Sequence, residues 1–259
     1  MNRVNVLILV MAFLGSPAIG GAARAQVSVD LALVLALDSS ASDDDREFGL
    51  QRGGLANAFR NPEVVEAIAA GTLGRIAVAV MEWAGTDQQV LDIPWTLVQD
   101  ATSARMMADR INELARGIPT GATSIAGALS FGNELLRTAP VLADRKVIDM
   151  SSDGRNNQGQ KVETVRSAVV AHGVTINGLV ILNEHPTLNY YFEDRVIGGP
   201  AAFVEVANDY YDYARAIRRK LIREIRSLTV SRRPTEPSPD AMPSPQMDVR
   251  VVTSTINLR

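Results

Sequence analysis

Five side chains in three short stretches combine as hard oxygen donors. Asp38, Ser40 and Ser42 alternate in Asp38-Ser39-Ser40-Ala41-Ser42, Thr123 closes Gly121-Ala122-Thr123, and Asp153 opens Asp153-Gly154. One carboxylate and two hydroxyls at alternate positions, with small residues between them, can converge on a single point. Oxygens of this kind suit Mg²⁺, Mn²⁺ or Ca²⁺, and not zinc.

Other chemistries are poorly supplied. The chain has no cysteine, which excludes disulfides, thiolate metal sites and Cys nucleophiles. Its two histidines, His172 and His185, lie in no recognisable catalytic motif, so a zinc site or a Ser-His-acid triad lacks residues. A formal charge of −3 over 259 residues argues against a dedicated nucleic-acid binder. No Gly-rich cradle with a lysine is present for phosphate chemistry.

The elements that must position the donors follow from the hydrophobic pattern. Val29 to Leu37 is an apolar run broken only by Asp30, which reads as a strand buried on both faces. Asp38 then falls just past the carboxyl end of that strand, where open parallel sheets place their sites. Asp43 to Phe59 and Glu63 to Ala70 read as helices, Arg75 to Trp83 as a second strand, and Gln89 to Trp95 as a third. The short connection between the last two forces an antiparallel hairpin, and Pro94 suits an edge. Ser103 to Arg116 reads as a helix capped by Ser103, with Met106, Met107, Ile111 and Leu114 inward. Ile125 to Arg137 and Val162 to Ala171 read as helices around a short central strand, Lys146 to Met150. Thr175 to Leu182 and Ala202 to Val206 are strands, Asn183 to Pro200 between them is a long loop, and Tyr210 to Leu228 is the final helix. The alternation predicts an α/β fold. It is doubly wound, with a mostly parallel central sheet, one antiparallel edge strand and helices on both faces.

The ends differ from this middle. Residues 1–25 have an apolar core, Val4 to Leu14, and a small-x-small pattern, Ala23-Arg24-Ala25, as in a secretory signal peptide. The expected organisation is signal peptide 1–25, one domain 26–229 and a Pro-rich, flexible tail 230–259, in which Val249 to Leu258 is β-prone. The protein is therefore expected to be exported, to the periplasm or beyond.

The three stretches together resemble the von Willebrand factor type A domain and its metal-ion-dependent adhesion site. That family has Asp-x-Ser-x-Ser, then Thr in a Gly-rich loop before a helix, then Asp usually followed by Gly; here these are Asp38, Ser40, Ser42, Thr123 and Asp153. The likeness covers about residues 28 to 228. Glu82-Trp83-Ala84-Gly85, Gly121-Ala122-Thr123-Ser124-Ile125, Val196-Ile197-Gly198-Gly199-Pro200 and Ile217-Arg218-Arg219-Lys220-Leu221 look like a bacterial, exported subfamily known mainly as a domain of unknown function. The resemblance implies that Ser40, Ser42 and Thr123 bind one divalent cation, Mg²⁺ before Mn²⁺ or Ca²⁺, through their hydroxyls. Asp38 and Asp153 would act mostly through water, and an open position would take an Asp or Glu carboxylate of a partner protein.

Other readings stand beside this one: a metal-assisted hydrolase, for which no clear general base accompanies the cluster, and a scaffold with a vestigial site. Ser42 and Thr123 could merely cap helices, and Asp153-Gly154 could be a turn. Arg155, Asn156 and Asn157 could shape the rim. Trp83 and Trp95 suit core packing, and His172 suits a helix C-terminus. The last helix is basic through Arg215, Arg218, Arg219, Lys220, Arg223 and Arg226. A solvated face is the expectation there, with an anionic membrane or acidic partner as the alternative. Tyr190, Tyr191 and Phe192 form either a partner-binding tongue or a loop packed on the domain edge.

Overall fold

The structure is a computed structural model and describes residues 26–40, 45–119 and 121–226. The signal-peptide segment, Ser42, the tail and the β-prone Val249–Leu258 stretch lie outside the described residues.

Six strands form one sheet in the order β3-β2-β1-β4-β5-β6. They are β1 Val27–Asp38, β2 Ile76–Trp83, β3 Gln89–Val98, β4 Val141–Ser152, β5 Val174–Ile181 and β6 Val204–Ala207. Every pairing is parallel except β2 with β3, the antiparallel edge that holds Pro94. The helices are α1 Asp45–Arg60, α2 Pro62–Ala69, α3 Ala101–Asn112, α4 Ile125–Arg137, α5 Val162–Ala171, α6 Leu188–Tyr191 and α7 Tyr213–Arg226. No helix among the described residues is long and apolar enough to cross a membrane.

The unbroken apolar run of β1 has a simple cause. Leu31, Leu33, Leu35 and Leu37 enter one core, with residues of α1, α2, α3 and α7. Ala32, Val34 and Ala36 enter the other, with residues of α4 and α5. Side chains alternate along a strand, so a central strand covered on both sides needs apolar residues at every position. Asp30, the one interruption, accepts the backbone N–H groups of Leu73 at 2.8 Å and Arg75 at 3.2 Å. It ties the start of β2 to β1 at the end of the sheet remote from Asp38.

Four expectations need correction. Asp100, not Ser103, caps α3; Ser103 is the third residue of a reciprocal capping box with it, and the helix stops at Asn112. Ala104, Met107, Ala108 and Ile111 form its buried stripe, which leaves Met106 62% exposed. Strand β4 is longer than Lys146 to Met150, because its first half pairs with β1 from Val27↔Val141 onward despite its charged residues. Between Asn183 and Pro200 lie α6 and a π-helical turn, Phe192–Val196, with Phe192 fully buried and Tyr190 66% exposed.

The fourth correction concerns α7. Its inward stripe is Tyr213, Ala216, Ile217, Lys220, Leu221, Glu224 and Ile225. Lys220 is therefore not part of a solvated face: it is fully buried, 2.5 Å from Asp149 of β4 and 2.6 Å from Glu224 one turn on. Asn177 of β5 donates to Glu224 at 2.9 Å. Burial and the Asp149 charge push the Glu224 carboxyl up to about 8, with Lys220 acting the other way.

Candidate metal centre

Asp38 ends β1 and is completely buried. Its Oδ1 accepts the Ser40 N–H at 2.9 Å, and its Oδ2 accepts the Ser152 hydroxyl at 2.5 Å. The first bond folds the 38–40 turn over its own carboxylate. The second joins the ends of β1 and β4, which the parallel register brings side by side. Asp153, one residue past β4, is also buried. Burial first and the nearby Asp153 charge second raise the Asp38 carboxyl to about 7, against the opposing hydrogen bonds from Ser152 and Ser40.

Thr123 is buried at the same end of the sheet. Its N–H donates to Asn157 Oδ1 and its carbonyl accepts the Asn157 N–H, both at 2.9 Å. A methyl placed on Gly154 would sit 3.4 Å from the Thr123 hydroxyl, so the Asp153-Gly154 turn packs directly on it. Gly121 is needed for space, since a Cβ there would lie 2.2 Å from Gln88 Oε1 and 2.9 Å from the Ala84 methyl. Ser124, not Thr123, caps α4 by accepting the Gly127 N–H, which leaves the Thr123 hydroxyl out of that role.

Two buried struts hold the connecting loops. Glu82, at the end of β2, accepts the N–H groups of Gly117 at 2.7 Å and Ile118 at 2.8 Å. Arg116 donates through Nε to Ser39 Oγ at 2.8 Å, and through Nη2 to the carbonyls of Ser39 at 3.1 Å and Ser40 at 3.3 Å. Asp92 of β3 lies close enough to Glu82 that burial and this charge raise it to about 7.

Asp38, Ser40, Thr123 and Asp153 thus come together at the carboxyl end of the sheet, while Ser42 lies outside the described residues. Of the rim residues, Asn157 holds Thr123 and Asn156 accepts the Ala126 N–H at 3.2 Å. Arg155 stacks on the Tyr191 ring at 5.5 Å. Trp83 is core, and His172 caps α5 through its backbone N–H, with its ring Nδ1 3.1 Å from the Asn133 side-chain amide. Sequence reasoning missed Ser152, Glu82 and Arg116 as parts of this arrangement. Ser152 carried a faint signal as a hydroxyl directly before Asp153. The other two carried none, because their partners are 35–36 and 76–77 residues away.

Chemically, the assembled donors are hydroxyls and carboxylates without imidazole or thiolate, which is what a hard divalent cation takes. Among the described residues no group of three or more His, Cys, Asp or Glu could hold a metal. A cation here would therefore depend on hydroxyls, and its charge would offset the repulsion that raises Asp38.

A family model described as "Protein of unknown function (DUF1194)" matches residues 28–229. No curated protein matches the chain. Among solved structures, proximal thread matrix protein 1 from the mussel byssus is similar at 14% identity and TM-score 0.56, over 76% of this chain and 48% of that one. One structure of that protein has a zinc-occupied MIDAS motif. A von Willebrand factor type A protein from Catenulispora acidiphila is similar at 16% identity and TM-score 0.53, over 76% and 43%. The pilus adhesin SpaC from Lactobacillus rhamnosus GG is similar at 12% identity and TM-score 0.51, over 78% and 31%. The chain spans less than half the length of these relatives, and at such identities the likeness is one of fold.

Proposed function

The chain belongs to the DUF1194 family and shares the von Willebrand factor A-type fold, and from that premise we propose that it binds one divalent cation and, through it, a carboxylate of a partner protein. Ser40, Ser42 and Thr123 are the proposed hydroxyl ligands. Asp38 and Asp153 balance the charge, and Asp38 orients the Ser40 loop. The cation is proposed to be Mg²⁺, with Mn²⁺ or Ca²⁺ as substitutes that oxygen ligands also suit.

The observation that supports this best is the meeting of two buried carboxylates, close enough for Asp153 to raise Asp38, beside the Thr123 hydroxyl. A buried pair of like charges is costly unless something positive is supplied. When bound, a cation with few directly attached anionic ligands supplies an electrophilic position for an incoming carboxylate. The chain's own contribution is to hold the hydroxyls. Ser152 and the Ser40 N–H fix the Asp38 carboxylate, Asn157 fixes Thr123, and Arg116 fixes the Ser39–Ser40 backbone.

A matrix protein and an adhesin among the relatives are compatible with a binding module rather than an enzyme. Residues 1–25 are proposed as a signal peptide that directs the chain to the periplasm or outside the cell, and 26–229 as the binding domain.

Calorimetric titration of the purified chain with Mg²⁺, Mn²⁺ and Ca²⁺ tests the reading. One saturable site, lost in Asp38→Ala and Thr123→Ala proteins that still unfold cooperatively, is the expected result. Binding that survives both substitutions would move the site elsewhere, and no binding at all would favour the vestigial scaffold.

A further inference from the structure

We infer that Arg116 is a second anion anchor beside the candidate cation, so that the partner segment presents two acidic groups, one to the ion and one to this guanidinium. The inference rests on the cation-binding reading above and specifies its partner as an acidic segment of protein.

Arginine carries five N–H donors in a rigid fork. Three of those of Arg116 are spent on Ser39 Oγ and the Ser39 and Ser40 carbonyls, which hold the side chain against the turn that carries the candidate ligand Ser40. Its backbone is equally constrained. The next two N–H groups, of Gly117 and Ile118, end on the buried Glu82 carboxylate, and Ser39 Oγ also donates to the Ile118 carbonyl at 3.1 Å. Only 12% of the side chain is exposed, so the guanidinium is part of the wall of the centre and not a mobile surface charge.

The two N–H groups on Nη1 differ from the rest. Their contact is Asp45 Oδ1 at 3.4 Å. A charge-assisted bond between these groups is normally about 2.7–2.9 Å. The Asp45 side chain is 94% exposed, and an ion pair to such a group is weak and screened. Arg116 is thus anchored on one edge, against the Ser39–Ser40 turn, and underused on the other, which faces Asp45. A carboxylate arriving with the partner displaces Asp45 and gains a donor already fixed in place, with little ordering left to be done. Asp45 acts as a weak internal competitor.

A purely structural staple and an anchor differ in one readout, which is preference for two acids over one. With the full chain saturated in Mn²⁺, binding of acetate is compared with that of succinate, glutarate and adipate by calorimetry. At least one dicarboxylate is expected to bind about tenfold tighter than acetate, the worth of one charge-assisted bond. In Arg116→Gln that ratio falls to about one, whatever happens to Mn²⁺ affinity. In Asp45→Asn, which leaves the bonds of Arg116 to Ser39 and Ser40 in place, the dicarboxylate tightens several-fold and acetate does not change. Mn²⁺ binding with no dicarboxylate advantage overturns the inference alone, as does an advantage that survives Arg116→Gln or an Asp45→Asn protein indistinguishable from wild type. Absence of Mn²⁺ binding overturns the parent reading and the inference with it.

Discussion

Strand β4 feeds two buried acidic clusters that are resolved in opposite ways. At Asp149 the chain supplies its own cation: Lys220 of α7 sits 2.5 Å away and reaches Glu224 at 2.6 Å. At Asp153, just past the same strand, the neighbouring acid Asp38 is held by the Ser152 hydroxyl and the Ser40 N–H instead. The first cluster is closed and works as an internal support for α7. For the second, the proposed cation supplies the positive charge. Buried acids therefore do not mark a functional site by themselves; what surrounds them does.

Replacing Lys220 breaks the closed cluster and has the largest expected effect. Lys220→Met leaves Asp149 and Glu224 buried without their cation and should cost about 3–5 kcal/mol of stability, read by urea unfolding. A loss under about 1 kcal/mol would mean that the cluster does not depend on the Lys220 charge.

Neutralising the open cluster should do the reverse. In cation-free protein at pH 8, Asp38→Asn is expected to be no less stable than wild type, and up to about 1 kcal/mol more so. Its divalent-cation affinity should fall by about 10–100-fold. A large loss of stability would make Asp38 a structural residue like Asp149 and erase the contrast. Ser152→Ala removes one of the donors to Asp38. It should cost about 1–2 kcal/mol and weaken cation binding by about tenfold, which separates a tuned site from a loosely held one.

The smallest expected effect is a slope. The Glu224 carboxyl is raised in the folded state to about 8 from an ordinary 4.5. Folding therefore takes up a proton between these values, and the associated stability is complete below about 4.5 and lost as pH rises through about 8. Glu224→Gln should flatten the stability profile between pH 5 and 8. An unchanged profile would assign the pH dependence to Asp38 and Asp92, which shift in the same direction.

Much of the fold was legible because its signals are local. The continuous Leu31–Leu37 run could only be a strand covered on both faces, and the short 84–88 connection could only give an antiparallel pair. Ile125–Arg137 matches the expected helix at both ends because a cap and an apolar stripe agree. The candidate donors were legible for a similar reason: Asp38 and Ser40 lie two residues apart, and Thr123 and Asp153 each sit at the edge of a readable element. Where spacing left a choice, the choice was lost. Met106 and Met107 are adjacent, and only packing decided that the second is buried.

By itself the sequence determined the strand and helix alternation, the central place of β1 and the kind of donors brought to its end. Period and turn chemistry act over a few residues, so they can be read locally. The tertiary structure alone decided which charges meet. Asp38 receives Ser152 from 114 residues away, Arg116 takes the carbonyls at Ser39 and Ser40 from 77 and 76, and Lys220 turns inward to Asp149 rather than outward with its arginine neighbours. Those pairings depend on strand register and on which stripe of a helix faces the sheet. A lysine at a core position is indistinguishable, in the chain, from one bound for water until the acid opposite it is in place.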